Sequence, residues 1–385
     1  MKKLFFSAIA FFLAVSLHAQ EGTDSRVITT AVPFLMITSD ARAGGMGEQG
    51  VATSADTYSQ QWNPSKYAFA SHQIGIGASY TPYLSDLVND IALLNFTGYD
   101  RISERSAVAA SFKYFSLGDI DIVSENGENQ FTERPNELAF DVSYALKLSE
   151  RFSMAVTGRY LRSDLKLPSG SSAGSSDTKA ASSFGVDVSG FYQSQEIYYS
   201  GFNGVWRAGF NISNVGPKIS YDTDGQEYFI PTNLKLGAGF DFIFDADNKL
   251  SVSTEFNKLL VPTPPVRNEN GEIIEGKDDN VSFATGIFQS FGDAPGGFSE
   301  ELKEVTWAFG GEYWYQNAFA LRTGYFNESN EKGGRKFANI GAGFKFKAVA
   351  IDMSYLFSTS KIRNPLENTL RVSLTFNLGD EYYDY

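Results

Sequence analysis

The chain has no cysteine in 385 residues and only two histidines. The first absence removes disulfide frameworks, thiolate zinc sites, iron–sulfur clusters and cysteine nucleophiles together. The second leaves little for imidazole-based acid–base or metal chemistry. Lys and Arg number 32 against 45 Asp and Glu, a net charge of −13, so the clustered cations that neutralise a phosphate backbone are lacking and no nucleic-acid partner is expected. Long apolar runs are scarce too. Past the N-terminus each one is broken within a few residues by Gly, Ser, Asp or Lys, short of the roughly 20 residues a spanning helix needs. Aromatic residues, by contrast, reach 15%, with 33 Phe and 20 Tyr, and a chain of mean hydropathy −0.22 needs somewhere to put them.

At the start, Lys2 and Lys3 precede an apolar run from Leu4 to Leu17 and then Leu17-His18-Ala19. This is the layout of a secretory signal peptide over residues 1–19, with cleavage expected after Ala19, which leaves His72 as the mature chain's one histidine. An exported chain without spanning helices is either soluble or a closed β-barrel, the other structure that satisfies its backbone hydrogen bonds in lipid.

Period-two alternation decides for the barrel. Leu138, Phe140, Val142, Tyr144 and Leu146 alternate with Ala139, Asp141, Ser143 and Ala145. Leu370, Val372, Leu374, Phe376 and Leu378 alternate with Arg371, Ser373, Thr375 and Asn377. Such segments run to ten residues or so, the length of a tilted membrane strand. The reading is an all-β, 14-stranded antiparallel transmembrane barrel with strands at 73–82, 91–99, 106–115, 137–147, 152–164, 181–194, 203–213, 233–245, 249–258, 305–315, 318–327, 335–346, 348–358 and 368–378. Short turns at Leu148–Arg151, Ala246–Asn248, Gln316–Asn317 and Lys347 alternate with long connections at 116–136, 165–180, 214–232 and 259–304. That is the periplasmic-turn, outer-loop asymmetry of outer-membrane barrels, and an even strand count puts both ends in the periplasm.

The alternating stretch Val281–Ser290 breaks that parity and is assigned to the longest outer loop, with Ser299 expected to cap a short helix at Glu300–Glu304. Trp307, Tyr313, Tyr315, Phe319 and Tyr325 fall where the interfacial aromatic girdles belong. The tail from Gly379 to Tyr385 is read as extending past the last strand.

Inward positions carry acids at Asp141, Asp187, Asp241, Glu255, Glu312 and Asp352 and bases at Lys113, Arg159, Arg207, Lys235, Arg322, Lys345 and Arg371. Selective pores show rings of one sign. A balanced interior predicts cross-barrel ion pairing among Asp141, Arg159, Asp187, Arg207, Asp241, Glu312, Arg322, Asp352 and Arg371, and a mostly filled lumen without a wide aqueous channel. The excess acid lies in the loops, at Glu269, Glu272, Glu275, Asp278 and Asp279 and then Glu300, Glu301 and Glu304, read as a solvated surface whose spacing matches no calcium loop. Pro168–Ser176 reads as a flexible loop tip.

Two motifs mislead. Gly45-Met46-Gly47-Glu48-Gln49-Gly50 spells a dinucleotide-binding fingerprint, but no βαβ unit surrounds it, and glycines here suit a backbone threaded through a confined space. Lipid hydrolysis would need a serine and a histidine near the outer leaflet, and His72 lies at the periplasmic start of the first strand. No enzyme activity, catalytic residue, cofactor or metal site is expected.

The stretch Ser39-Asp40-Ala41-Arg42-Ala43-Gly44-Gly45-Met46-Gly47, then Ala52–Asp56 and Trp62-Asn63-Pro64-Ser65-Lys66, resembles the N-terminal hatch of FadL-like barrels. With Ser290–Phe298, Glu300–Glu304 and Asn364–Arg371, the chain resembles more narrowly the PorV (LptO) family of the Bacteroidetes type IX secretion system. The resemblance implies a hatch or plug at 20–72, with Gly44, Gly45, Gly47, Gly50, Trp62, Asn63 and Pro64 as its motif, and a barrel with long outer loops at 73–385. It also implies a cell outer membrane protein and a role: to take cargo bearing C-terminal secretion domains from a SprA/Sov-type translocon to a PorU-containing attachment complex, amid outer-membrane lipid and lipopolysaccharide. Phe288, Phe291, Asp293, Pro295 and Phe298 form the candidate partner-contact loop. The alternative is a FadL-type transporter of hydrophobic small molecules, which would need an apolar cavity and a lateral gap.

Overall fold

Along Phe140-Asp141-Val142-Ser143-Tyr144 the three apolar side chains are exposed and the two polar ones buried. The same inversion recurs at Phe184, Val186 and Asp187 and at Leu321 and Arg322. A surface of Phe, Val and Leu around a polar interior is stable against lipid, not water.

The computed structural model describes residues 26–85, 88, 90–123, 129–165, 179–221, 225–360 and 367–382. In it the fourteen inverted segments form β1 (His72–Pro82), β2 (Ile91–Asp100), β3 (Ser106–Leu117), β4 (Asn136–Ser149), β5 (Phe152–Asp164), β6 (Ala181–Gln193), β7 (Phe202–Val215), β8 (Asn233–Ile243), β9 (Asn248–Leu259), β10 (Thr306–Tyr315), β11 (Phe319–Asn327), β12 (Lys336–Phe346), β13 (Val349–Ser358) and β14 (Leu370–Glu381). Each pairs antiparallel with the next in sequence, and β1 pairs with β14 from Ile74↔Leu378 to Tyr80↔Val372, so the sheet closes. Closure removes the free edges that an open sheet would expose to lipid.

Short turns join most of the strands at one end, where the 194–201 connection adds a short strand, Ile197–Tyr199, paired with β7. Gln316, Asn317 and Lys347 take positive φ there, a conformation that suits two-residue hairpin loops. At the other end the connections are long and carry short hairpins at 120–123/129–133, 219–220/227–228 and 266–267/273–275. Trp307 and Tyr325 pack together near that end on the outer surface, while Tyr315 and Phe319 face outward near the tight turns, as girdle residues do.

Four expectations change. Val281–Ser290 belongs to the outer loop, but Phe283–Gln289 is a helix (α3 below), begun by Ser282, whose side chain accepts the Thr285 N–H at 3.2 Å. The next helix runs Phe298–Lys303 (α4 below), and its cap is Gly297, not Ser299: a backbone at φ 65° and ψ −153° is open to glycine and starts the helix earlier. The C-terminal tail does not leave the barrel at Gly379. A register shift next to that residue (φ 79°) lets β14 run on to Glu381 opposite His72, and Tyr382 N–H donates to Ser71 O. Glu300, Glu301 and Glu304 are buried rather than solvated, for reasons given below. The signal-peptide residues and Pro168–Ser176 lie outside the described residues.

Candidate functional site

Residues 31–70 lie inside the barrel, most of them buried. Two short helices, α1 (Ala41–Gly44) and α2 (Ser59–Trp62), and two 3-10 turns, Pro33–Met36 and Pro64–Phe69, organise them. Asp40 begins α1 by accepting the Ala43 N–H at 2.8 Å, and its other oxygen takes the Trp62 indole N–H at 2.8 Å. Asn63 opens the 64–69 turn by accepting the Ser65 N–H, with Pro64 in the first position, where no amide hydrogen is wanted. Its amide donates to Val51 O and to Gly190 O on β6.

The segment is fastened around the wall. Gly50 and Val51 N–H groups donate to Glu255 on β9 at 2.8 Å each. Gln60 donates to Ser143 on β4, Ser153 on β5 donates to Ser65 O, and Asn211 on β7 donates to Trp62 O. The Tyr58 hydroxyl sits 2.8 Å from the carbonyl oxygens of Ala78 and Leu374, bridging β1 and β14. Glycines make the approach possible: a Cβ on Gly324 of β11 would lie 2.1 Å from Gly47 N, and one on Gly50 would lie 2.3 Å from the Trp62 ring. Of the fingerprint glycines, Gly45 and Gly47 lie close against the wall at Gly341 and Tyr325, and Gly50 packs on Trp62 within the segment.

Each of the nine lumen residues expected to form ion pairs finds a partner. Arg159 on β5 bridges Asp141 on β4 at 2.6 Å and Asp187 on β6 at 3.1 Å. Arg207 pairs with Asp241 across β7 and β8. Arg322 pairs with Glu312 at 2.6 Å and Asp352 at 2.7 Å. Most of these pairs join neighbouring strands and not opposite walls, because the centre of the lumen is occupied. The inserted segment supplies the cross-lumen partners instead: Arg42 forks onto Glu312 and reaches Asp56, and Glu48 takes Arg371.

Apolar clusters fill much of both ends. Phe34 and Leu35 pack with Leu93, Phe115 and Leu161 toward the outer loops, and Tyr67 and Phe69 pack with Tyr99 and Phe191 toward the turns. Between the 27–36 stretch and the outer half of the wall lies a cavity of about 480 Å³, lined by polar as well as apolar residues.

The outer loop between β9 and β10 is built around α3 and α4. On α4 the acids point inward. Glu300 binds Lys332 at 2.7 Å and Arg26 at 2.9 Å, Glu301 binds Lys258 at 2.9 Å, and Glu304 binds Lys258 at 2.6 Å and Lys332 at 2.9 Å. Glu301 also accepts the Asp293 and Ala294 N–H groups, and Glu300 accepts that of Gly296, which pins the turn before the helix. Burial alone would raise the Glu300 carboxyl, but hydrogen bonds from Arg26 and Lys332 outweigh it and hold it down at about 2. Asp293 goes the other way. Burial raises it to about 6, with Glu301 and Glu304 adding repulsion and the Thr263 N–H opposing.

The apolar side chains of this loop point outward: Phe288 is 81% exposed, Phe298 77%, and Phe291 and Leu302 more than half. Of the five residues expected to meet a partner, the three Phe lie on the surface. Asp293 does not: it is buried because its carboxylate takes the Thr263 N–H. Pro295 is half-buried against the hairpin at Gly276. Sequence reasoning missed Arg42, Glu48, Asp56 and the Lys258–Lys332 cluster, whose partners lie far off in the chain; the apolar positions 298 and 302, one helical turn apart beside a run of acids, were the available sign.

A closed fourteen-stranded antiparallel barrel, apolar outside and charged within, defines an outer-membrane β-barrel. Among solved structures, a mutant of the TodX monoaromatic hydrocarbon channel is similar at 12% identity and a TM-score of 0.53, covering 88% of this chain and 99% of that one. The Pseudomonas putida toluene transporter TodX (12% identity, 92% and 98% covered, TM-score 0.48) and a Pseudomonas aeruginosa FadL homologue (11%, 92% and 99%, 0.44) are further neighbours. At such identity the likeness is one of fold. No curated protein matches the chain. Residues 20–266 match the family model of type IX secretion system protein PorV, and the chain belongs to that family. It is an outer-membrane component of type IX secretion.

Proposed function

We propose that the protein is a non-enzymatic carrier: it receives cargo with C-terminal secretion domains as they leave a SprA/Sov-type translocon and delivers them to a PorU-containing attachment complex. Export by a signal peptide at residues 1–19, a Bacteroidetes source and a hatch role for residues 20–72 belong to the same reading. The observation that carries it is the inverted α4. Its acids are spent on buried ion pairs, while Phe298 and Leu302, joined by Phe288 and Phe291, face water at the outer end of the barrel. A solvent-facing apolar patch on a firmly held scaffold is the mark of a docking surface. The transporter alternative would need an open apolar route. The inserted segment and its ion pairs weigh against one, as does the pairing of each strand with both neighbours.

A photo-cross-linking residue placed at Phe298 in living cells tests the reading. Adducts with a translocon-sized protein and with secreted cargo are expected; adducts with lipid alone would refute it.

A further inference from the structure

The lumen cavity contains hydrogen-bonding groups that neither the fold nor the carrier reading uses. Lys113 on β3 is 3% exposed and lines the cavity, yet it forms no hydrogen bond or ion pair with any described residue. Of the nearby carboxylates, Asp141 and Asp187 hold Arg159, and Glu255 gives one oxygen to two N–H groups of the inserted segment while the other is buried without a partner. On β8, Lys235 also faces the cavity, its ammonium 4.2 Å above the Trp62 ring and without an ion pair.

Register gathers polar groups around Lys235. Asn233 precedes it by two residues on the same face of β8, and Asn257 lies directly opposite it on β9. Both amides line the cavity, and the Asn257 side-chain oxygen is buried without a partner. A buried polar atom left unpaired is destabilising, so its retention calls for a reason.

Two ammonium groups offer donors to an anion, and two amides offer paired donors and acceptors to hydroxyls. Charge-assisted contact at one end and amide contact along the body is the chemistry of an acidic sugar. A purely apolar anion would leave both amides unpaired. We infer that the outer half of the lumen binds an acidic sugar, its carboxylate or phosphate on Lys113 and Lys235 and its hydroxyls on Asn233 and Asn257. The source is a free acidic monosaccharide or the end of an acidic surface glycan. This inference stands apart from the carrier reading and survives or fails without it.

The test is calorimetric titration of the purified full-length protein in detergent with D-glucuronate, D-glucose 6-phosphate, methyl glucoside and decanoate, and with an oligosaccharide of glucuronate. At least one acidic sugar is expected to bind, while methyl glucoside and decanoate are not. Lys113→Gln and Lys235→Gln should each weaken binding about tenfold, and Lys113→Arg should retain it. Heat-modifiable gel migration verifies that each variant is a folded barrel. Both source outcomes support the site: an oligosaccharide that outbinds the monomer identifies a glycan end, and equal binding identifies a free sugar. Failure of both acidic sugars to bind, equal binding of decanoate, or indifference to both glutamine substitutions overturns it.

Discussion

Arg42 of the inserted segment and Glu312 of β10 form a two-pronged ion pair, Nε to Oε2 at 2.9 Å and Nη2 to Oε1 at 2.8 Å. The planar guanidinium matches the carboxylate edge, so the contact sets orientation as well as attraction. Because Arg322 binds the same carboxylate, the segment is locked into a charge network already present in the wall. The lumen charges are completed from the inside.

Arg42→Met should therefore loosen the segment without unfolding the barrel. It leaves Asp56 with the Ser59 hydroxyl in place of a guanidinium and removes one of the two partners of Glu312. A buried pair broken on one side costs about 3–5 kcal/mol, lessened here because Arg322 remains. Trypsin should cut the 26–71 stretch faster in the variant, and planar-bilayer recordings should show openings absent from the parent. Identical protease and conductance behaviour would mean that this pair does not hold the segment.

Gly324→Val tests the packing directly. Its Cβ would lie 2.1 Å from Gly47 N and Met46 C, and backbone atoms on both sides leave nothing flexible to yield. The segment must shift away from β11. Lower thermal stability and raised conductance are expected, whereas Gly158→Ala, at a glycine with open space around it, should change neither.

Much of this was legible beforehand, and the reason is local. In a barrel each strand declares itself through its own alternation, and each turn through its own length, so all fourteen strands could be placed without long-range information. The lumen residues of the wall could be read for the same reason: Asp141 and Arg159 are inward by parity alone. The partners of Arg42, Glu48 and Arg26 could not, since they sit at Glu312, Arg371 and Glu300, far along the chain. Glu300, Glu301 and Glu304 looked solvated because an acid run in a long loop ordinarily is; Lys258 and Lys332 became their neighbours only once the barrel closed.

The outer loop should respond to pH in two opposite ways. Glu300 is held at about 2, below its ordinary 4.5, so the stability it lends is present above pH 4.5 and is lost as pH falls toward 2. Asp293 is raised from 3.8 to about 6, so its contribution is present below pH 3.8 and is lost as pH rises through 6. Amide exchange of the α3–α4 loop should thus slow on going from pH 7 to 5, after correction for intrinsic rates, and quicken again below pH 4. Asp293→Asn should abolish the first change and Glu300→Gln the second. A loop whose protection is flat across this range would show that these groups do not hold it.

The most direct measurement of the carrier account is affinity purification from native outer membranes, with Phe288, Phe291 and Phe298 intact or all replaced by serine. These side chains are exposed, so the triple variant should melt like the parent and reach the membrane in equal amount. The account predicts that translocon and cargo accompany the parent and are depleted about tenfold or more from the variant, in line with the loss of aromatic hot-spot contacts. Equal recovery of both partners with the two forms would contradict it.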